Sequence, residues 1–299
     1  MSHLIRQMGH VAIATPDPGR AARDLVEIVG LRETDQVGET RYLSSGQRHH
    51  EVSFHLGARA EVLAIGLEAM DAAAVDEVMR RVRSDGLDVL DDRPLGPHIE
   101  RAVRFVGPFG AIFEVHTPVV RNQSQHYIGP GARPKRIDHA NLKAPDTRVV
   151  TDFMTGTLNL RLSDETSGGE FVWFRAWDGY HHTVAVFVGP CALHHYGFDF
   201  HSIEDLATVA ESLVVRDRML LWGPGRHAAG GNVFAYYVDP NGCVVESSVH
   251  MDRIDNDDLW EHRTWPFTPD LKGRWINQWG SPPPETFTTH GLPFATGAS

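Results

Sequence analysis

The sequence is short of cysteine, of positive charge and of long apolar runs, and each shortage excludes a class of protein. Its 299 residues include two cysteines, Cys191 and Cys243, which form no CxxC pair and cannot build a disulfide framework. The chain has 28 lysines and arginines against 39 acidic residues. The resulting formal charge of −11 argues against nucleic-acid or anionic-membrane partners. No run approaches the ~18 apolar residues of a membrane span, and the first residues lack a signal-peptide core. We therefore expect a cytoplasmic protein.

Histidine is the residue type present in excess. The chain has 18 histidines, against 6 tyrosines and 7 tryptophans. Histidine is the commonest metal ligand and the usual acid or base near neutral pH, although most single histidines serve neither role. At roughly 150 residues per domain, the length indicates two domains.

The chain contains two copies of one pattern. The run from His10 to Asp17 recurs from His139 to Asp146 at an offset of 129, and the run 105–114 recurs as 237–246 at an offset of 132. Blocks that recur in the same order indicate a duplicated module. We therefore expect an N-terminal module over 1–117, a linker over 118–135, a second module over 136–250 and a C-terminal arm or lid over 251–299.

Each copy is predicted to combine strands with a few helices. Alternating residues 10–14 suit a strand, residues 18–29 and 71–83 suit helices, and Ser202-x-x-Asp205 is typical of a helix start. In the second copy, 232–238 and 243–248 suit two strands joined by the turn Asp239-Pro240-Asn241-Gly242. The module is therefore β-α-β-β-β-like, and two such modules predict an α+β protein.

One candidate metal site emerges from the second copy. Its landmark strands carry His139, His195 and Glu246, which are 56 and 51 residues apart and need folding to meet. Two imidazoles and one carboxylate form the facial triad that leaves open positions on Fe(II). The first copy keeps His10 and Glu114 but has Ala64 where the second has His195. We expect the first copy to be metal-free and the second to hold the site.

These segments resemble a known family, the type I extradiol ring-cleavage dioxygenases of the vicinal oxygen chelate superfamily. The resemblance covers residues 1–280, and its ordered motifs are the following segments: Arg136-Ile137-Asp138-His139, Leu193-His194-His195-Tyr196-Gly197-Phe198, Gly223-Pro224-Gly225-Arg226-His227 and Tyr236 to Glu246. The resemblance implies two tandem modules of paired βαβββ units that form open barrel-like sheets, with the active site in the C-terminal module.

The resemblance also implies roles for individual residues. His182 resembles the acid/base histidine of the family, with His181 as the alternative, and His227 resembles the histidine that bonds the bound substrate. Tyr236 resembles a tyrosine that contacts a catechol oxygen, and Asn141 resembles a polar residue near the oxygen site. His195 rather than His194 matches the ligand, and strand alternation predicts that His194 faces away from the site.

The implied reaction is extradiol cleavage of a catechol by O₂, giving a muconic semialdehyde-type product. The implied metal is Fe(II), with Mn(II) as the alternative because it accepts the same ligands. Catechol and O₂ are the expected partners, in a homo-oligomer. The rival functions are a glyoxalase-like isomerase, a keto-acid dioxygenase and a non-enzymatic small-molecule binder.

The substrate pocket is less well defined. Relatives that cleave acidic catechols tend to have an arginine where Trp222 stands, so an apolar or fused-ring substrate is favoured. Trp173 and Phe187 are further candidates for the pocket wall, equally suited to the core. The tail holds Arg274, which could meet a substrate anion, and several tryptophans that could form a lid. A packed arm or subunit contact is the interpretation that we favour for the tail.

Overall fold

The structure is a computed structural model that describes residues 3–268 and 274–296; the outermost residues of the first and last predicted segments, and 269–273 within the tail, lie outside this range. The described chain forms two mixed sheets with helices packed against them, which confirms the α+β class. None of its described helices has the length and apolar character needed to cross a membrane.

The first sheet has eight strands. Its elements are β1 (Ile5–Thr15), α1 (Pro18–Asp24), β2 (Arg32–Val37), β3 (Thr40–Ser44), β4 (Val52–Leu56), β5 (Glu61–Ala69), α2 (Ala72–Ser84), β6 (Val89–Asp91), β7 (Ala102–Val106) and β8 (Ile112–His116). The strand order is β2-β3-β4-β1-β5-β8-β7-β6, which places two βαβββ units side by side with β1 and β5 antiparallel at the centre.

The second sheet repeats this plan and gains one strand from the tail. Its elements are β9 (Arg136–Ala144), α3 (Thr147–Asp152), β10 (Arg161–Thr166), β11 (Phe171–Arg175), β12 (Val184–Val188), β13 (Ala192–Asp199), α4 (Ile203–Val214), β14 (Trp222–Arg226), β15 (Val233–Val238), β16 (Val244–Val249) and β17 (Arg263–Trp265). The order is β14-β15-β16-β13-β9-β12-β11-β10-β17, with β17 added at the edge beside β10.

Local sequence signals explain where the helices begin. The capping box at α4 is present, because the side chains of Ser202 and Asp205 bond each other's backbone amides. Asp71 caps α2 by accepting a hydrogen bond from the amide of Ala74 at 2.9 Å. The helix predicted over 18–29 is α1 followed by a wider turn over Leu25–Val29, so its second half departs from α-helical geometry.

The strand register confirms the internal repeat. His10 pairs with Gly66 in the first sheet, as His139 pairs with Gly197 in the second. Each pairing leaves no room for a side chain on the glycine: a Cβ on Gly197 would come within 2.2 Å of the His139 ring. Ala64 lies two residues before Gly66, the position that His195 takes before Gly197.

The two modules and the tail pack against each other. One hydrophobic core cluster contains residues of both modules. Polar contacts join the modules as well, since the Tyr237 hydroxyl donates to Asp24 at 3.1 Å. The tail crosses both sheets: Leu292 forms a bridge to Leu193 of β13, and Phe294 forms one to Val62 of β5.

Candidate metal centre and active site

Three buried ligand atoms from separate strands meet in the second module. His139 on β9, His195 on β13 and Glu246 on β16 are each at most 4% exposed. The Glu246 carboxylate oxygen Oε2 lies 2.9 Å from His139 Nε2 and 3.2 Å from His195 Nε2. The ligand atoms of all three residues lie within 4.8 Å of one another. The predicted triad is therefore assembled in one place.

A second layer of buried polar groups holds the outer atom of each ligand. His139 Nδ1 donates to Asp138 Oδ1 at 2.8 Å, and Glu246 Oε1 accepts from Asn232 Nδ2 at 3.0 Å. His195 Nδ1 lies 2.7 Å from His194 Nδ1. Outer partners of this kind fix the tautomer and ring direction of metal-bound histidines.

The histidine tautomers follow from these partners. His194 Nε2 donates to the Phe287 carbonyl at 2.7 Å, so its Nδ1 carries the lone pair and accepts from His195 Nδ1–H. The proton of His195 is then on Nδ1, as the outer proton of His139 is, so both inner Nε2 atoms can present lone pairs to a metal ion. Two lone pairs and a carboxylate oxygen converging on one point suit a divalent cation.

The charge balance of the site also calls for a cation. Burial by itself would lower the pKa of His139, but the carboxylates of Asp138 and Glu246 outweigh it and raise that pKa to about 10. Burial would raise the pKa of Glu246, yet His139 and His195 hold it well below its usual value. Without a metal ion, a proton between the ligands supplies the missing positive charge. The donor set thus fits a divalent metal.

The corresponding point of the first module is built differently. His10 Nε2 lies 3.5 Å from Glu114 Oε1, and both residues are buried, but Ala64 contributes no ligand atom. Burial raises the pKa of Glu114 to about 7, against the lowering effect of the Leu95 amide and of Arg104. This module keeps two of the three positions without completing the triad.

The triad opens into a cavity with aromatic walls. The polar lining residues that the sequence predicted are Asn141, His182, His195, His227, Tyr236 and Glu246. The apolar lining is Phe171, Trp173, Phe187, Trp222, Ala229, Trp275, Ile276, Pro283 and Phe287. No arginine or lysine is among the described residues that line it.

A chain of buried side chains leads from the cavity to a carboxylate on β10. His182 Nδ1 lies 3.1 Å from His181 Nδ1, and His181 Nε2 faces Asp164 Oδ2 at 3.1 Å. With the proton of His181 on Nε2 facing Asp164, His181 Nδ1 accepts from His182 Nδ1–H, and His182 Nε2 is left with a lone pair. Burial, together with His139 and His181, holds the pKa of His182 well below its usual value. His182 is therefore neutral and able to accept a proton.

His227 and Tyr236 form a bonded pair on the cavity wall. His227 Nδ1 donates to the Ile276 carbonyl at 2.5 Å, which leaves Nε2 to accept from the Tyr236 hydroxyl at 3.0 Å. Burial lowers the pKa of His227 to about 4 and raises that of Tyr236 well above its usual value. Both groups are uncharged at neutral pH and present fixed dipoles to a ligand.

Two expectations differ from what the structure shows. Arg274 is exposed and is not among the residues that line the cavity. The prediction that His194 faces away from the site is wrong: it lines the cavity, because the register of β13 against β9 shifts between Leu193 and His195. Strand alternation fails at such an irregularity.

Sequence reasoning missed several functional neighbours. Asn232 and Asp138 hold ligands, and Asp164 faces His181. The sequence predicted no role for them, although Asp138 lies within the first motif of the resemblance. The repeat did contain a signal for Asp164. At the same offsets, Asp35 matches Asp164, and the pair His49-His50 matches His181-His182.

Two curated relatives match most of the chain. The manganese-dependent 2,3-dihydroxybiphenyl 1,2-dioxygenase of Geobacillus genomosp. 3 is 25% identical over 262 residues, which cover 80% of this chain and 83% of that protein. Metapyrocatechase 2 of Cupriavidus necator is 23% identical over 304 residues, which cover 95% of this chain and 92% of that protein. No protein-family profile matches the chain.

Solved structures share the whole fold. Homoprotocatechuate 2,3-dioxygenase from Arthrobacter globiformis superimposes with a TM-score of 0.87 at 23% identity, covering 97% of this chain and 93% of that one. The Mn(II)-bound glyoxalase from Novosphingobium aromaticivorans superimposes with a TM-score of 0.86 at 25% identity, covering 99% and 96%. Over most of its length the chain is thus similar in sequence to a 2,3-dihydroxybiphenyl dioxygenase and a metapyrocatechase, and in fold to a homoprotocatechuate 2,3-dioxygenase, which agrees with the resemblance to the type I extradiol dioxygenases found in the sequence.

Proposed function

We propose that this protein cleaves the ring of a catechol by extradiol oxygenation at a divalent metal held by His139, His195 and Glu246. The observation that carries the proposal is the position of the triad: it opens into an aromatic-walled cavity in which neutral His182 and the His227–Tyr236 pair face the same space. The three residues of the triad would hold Fe(II) or Mn(II), which when bound would supply Lewis-acid chemistry and bring the reactants together in the cavity.

The protein side chains would then handle protons and orientation. His182 accepts a phenolic proton on Nε2, while the contact of its Nδ1 with His181 keeps the ring in place. His227 and Tyr236 hold the substrate oxygen and stabilise its developing charge. The ring opens beside the diol, both oxygen atoms enter the product, and His182 returns its proton.

The cavity wall favours a neutral, apolar catechol. The Trp222 and Tyr236 rings are stacked 5.5 Å apart, and the Phe287 ring of the tail packs against both. Trp275 of the tail packs against Trp173 in another part of the lining. Burying a carboxylate in such a site without a cationic partner is costly. We infer that an aryl- or alkyl-substituted catechol is preferred to one with a carboxylate, by about 10- to 100-fold in kcat/KM.

Oxygen uptake with a catechol panel tests this proposal. Protein loaded anaerobically with Fe(II) or Mn(II) should consume one O₂ per catechol and form a yellow ring-fission product, faster with 2,3-dihydroxybiphenyl than with homoprotocatechuate. His182→Phe should keep the metal and turn over about 10²–10⁴-fold more slowly, whereas Glu246→Ala should lose the metal. Absence of oxygen uptake with every catechol would reject the ring-cleavage assignment.

A glyoxalase-type isomerase is the second candidate, since a Mn(II)-bound glyoxalase shares the fold over nearly the full chain. Isomerisation consumes no O₂. Metal-dependent turnover of a thiohemiacetal without oxygen uptake would therefore select this alternative.

A further inference from the structure

The first module contains a second cluster of metal-ligand side chains, which shares no residue with its incomplete triad. Asp35 on β2, His49 just before β4 and His98 between β6 and β7 bring their ligand atoms within 4.8 Å of one another. His49 Nε2 lies 3.3 Å from Asp35 Oδ2, and the His49 and His98 rings are 4.2 Å apart. None of these residues belongs to the cavity described above.

Two members of this cluster have counterparts in the second module. Asp35 and His49 match Asp164 and His181, which form the same carboxylate–imidazole contact. In each module the histidine Nδ1 lies 3.1 Å from the Nδ1 of the histidine that follows it. The Asp–His contact is therefore a shared element of the repeat, and by itself it calls for no metal.

The third member is peculiar to the first module. His98 matches Gly230: its carbonyl accepts from the amide of Val120, as the carbonyl of Gly230 accepts from that of Asp252, 132 residues later in each case. Both residues are left-handed, with φ of 61° at His98 and 86° at Gly230. Glycine adopts this conformation readily and histidine does so at a cost in free energy. The first module therefore carries a strained histidine where the second has glycine, and that histidine adds a third ligand.

The donor set suits a divalent metal ion from late in the first transition series. Two imidazoles and one carboxylate bind Zn(II) well, and solvent can complete the shell because His98 is exposed and Asp35 is partly exposed. His49 is buried, and its Nδ1 is backed by His50 at 3.1 Å, which leaves Nε2 as the ligand atom.

We propose that Asp35, His49 and His98 form a second divalent-cation site, selective for Zn(II) over Mn(II) and Fe(II), at the edge of the first module. The selectivity follows the general order of affinities of nitrogen and oxygen ligands for these ions. The bound ion joins β2, the entry to β4 and the loop before β7. At a free Zn(II) concentration 100 times Kd, it raises the ratio of folded to unfolded protein about 100-fold.

Zinc stoichiometry in matched variants tests the site. His98→Gly inserts the residue that the second module has, so it removes the ligand and the strain together and should fold well. His250→Gly is the control, because His250 is also exposed and left-handed, with φ of 62°, and lies outside the cluster.

Titration of the full-length, metal-free chain with Zn(II) against a chromophoric chelator should show one more tight equivalent in wild type and in H250G than in H98G. The Zn(II)-dependent rise in the thermal midpoint should shrink in H98G alone. Catechol turnover by the Mn(II)-loaded enzyme should be the same in all three proteins, so this test is separate from that of the proposed function. Equal zinc stoichiometry in wild type and H98G would overturn the proposal.

Discussion

The burial of Glu114 should lower the free energy of unfolding increasingly as the pH rises. It is fully buried, its Oε1 has no hydrogen-bond partner among the described residues, and its pKa is raised by burial to about 7. An unfolded glutamate ionises near its model value of 4.5. Between these two values the folded chain binds more protons than the unfolded chain, so the free energy of unfolding falls as the pH rises through this window.

The size of the effect follows from the shift. A carboxyl whose pKa rises from 4.5 to about 7 on folding costs about 1 kcal/mol of stability at pH 5 and about 3 kcal/mol at pH 8.5. Glu114→Gln removes the charge and keeps the oxygen that accepts from the Leu95 amide at 2.9 Å. Relative to wild type, the free energy of unfolding of this variant should therefore be about 2 kcal/mol higher at pH 8.5 than at pH 5.

Urea unfolding of the metal-free chain, followed by far-UV circular dichroism at the two pH values, measures this difference. Glu39→Gln is the control. Glu39 is exposed on the turn between β2 and β3, so this variant removes one carboxyl from the unfolded chain, as Glu114→Gln does, but no buried carboxyl from the folded chain. A Glu114→Gln effect that is equal at both pH values would refute the reasoning, since only a group that titrates inside the window can produce the slope.

Three further results are expected at the metal centre. Gly197→Ala should weaken metal binding at least tenfold, because its Cβ would displace the His139 ring, whereas Gly66→Ala in the first module should leave metal affinity unchanged; competition with a chelator measures both. Asn232→Ala should lower the affinity about 10- to 100-fold by freeing Glu246 Oε1; an unaltered Kd would show that this contact does not orient the ligand. The apparent affinity should rise about tenfold per pH unit between pH 6 and pH 8, as the metal displaces one proton from His139; a flat profile in metal-binding calorimetry would contradict the raised pKa.

The sequence allowed the ligand set to be predicted because duplication provides an internal control. His139 and Glu246 of the second copy have counterparts in the first copy. Ala64 of the first copy stands where the third ligand would be, which distinguishes the incomplete triad from the complete one. The fold class followed from the same repeat. Once each ligand is assigned to its strand of the module, the fold class is enough to predict that the three ligands meet.

Other parts of the site depend on features that leave no pattern in the sequence. The orientation of His194 changes at an irregularity of strand register, which sequence periodicity cannot detect. The walls formed by Trp275 and Phe287 depend on where the tail crosses the second sheet, and the tail has little regular structure to predict its path. The exposure of Arg274 also depends on the path of the tail, which the sequence does not predict.

The tail that closes the cavity also sets an order of assembly. All three ligands of the triad precede residue 250, whereas Trp275, Ile276 and Phe287 follow it in the chain. During synthesis the second module can thus emerge and fold with its ligands open to solvent before the last wall arrives. Metal insertion into the nascent protein needs no later opening of that wall, and chains that mature without metal would load more slowly than those supplied with it during translation.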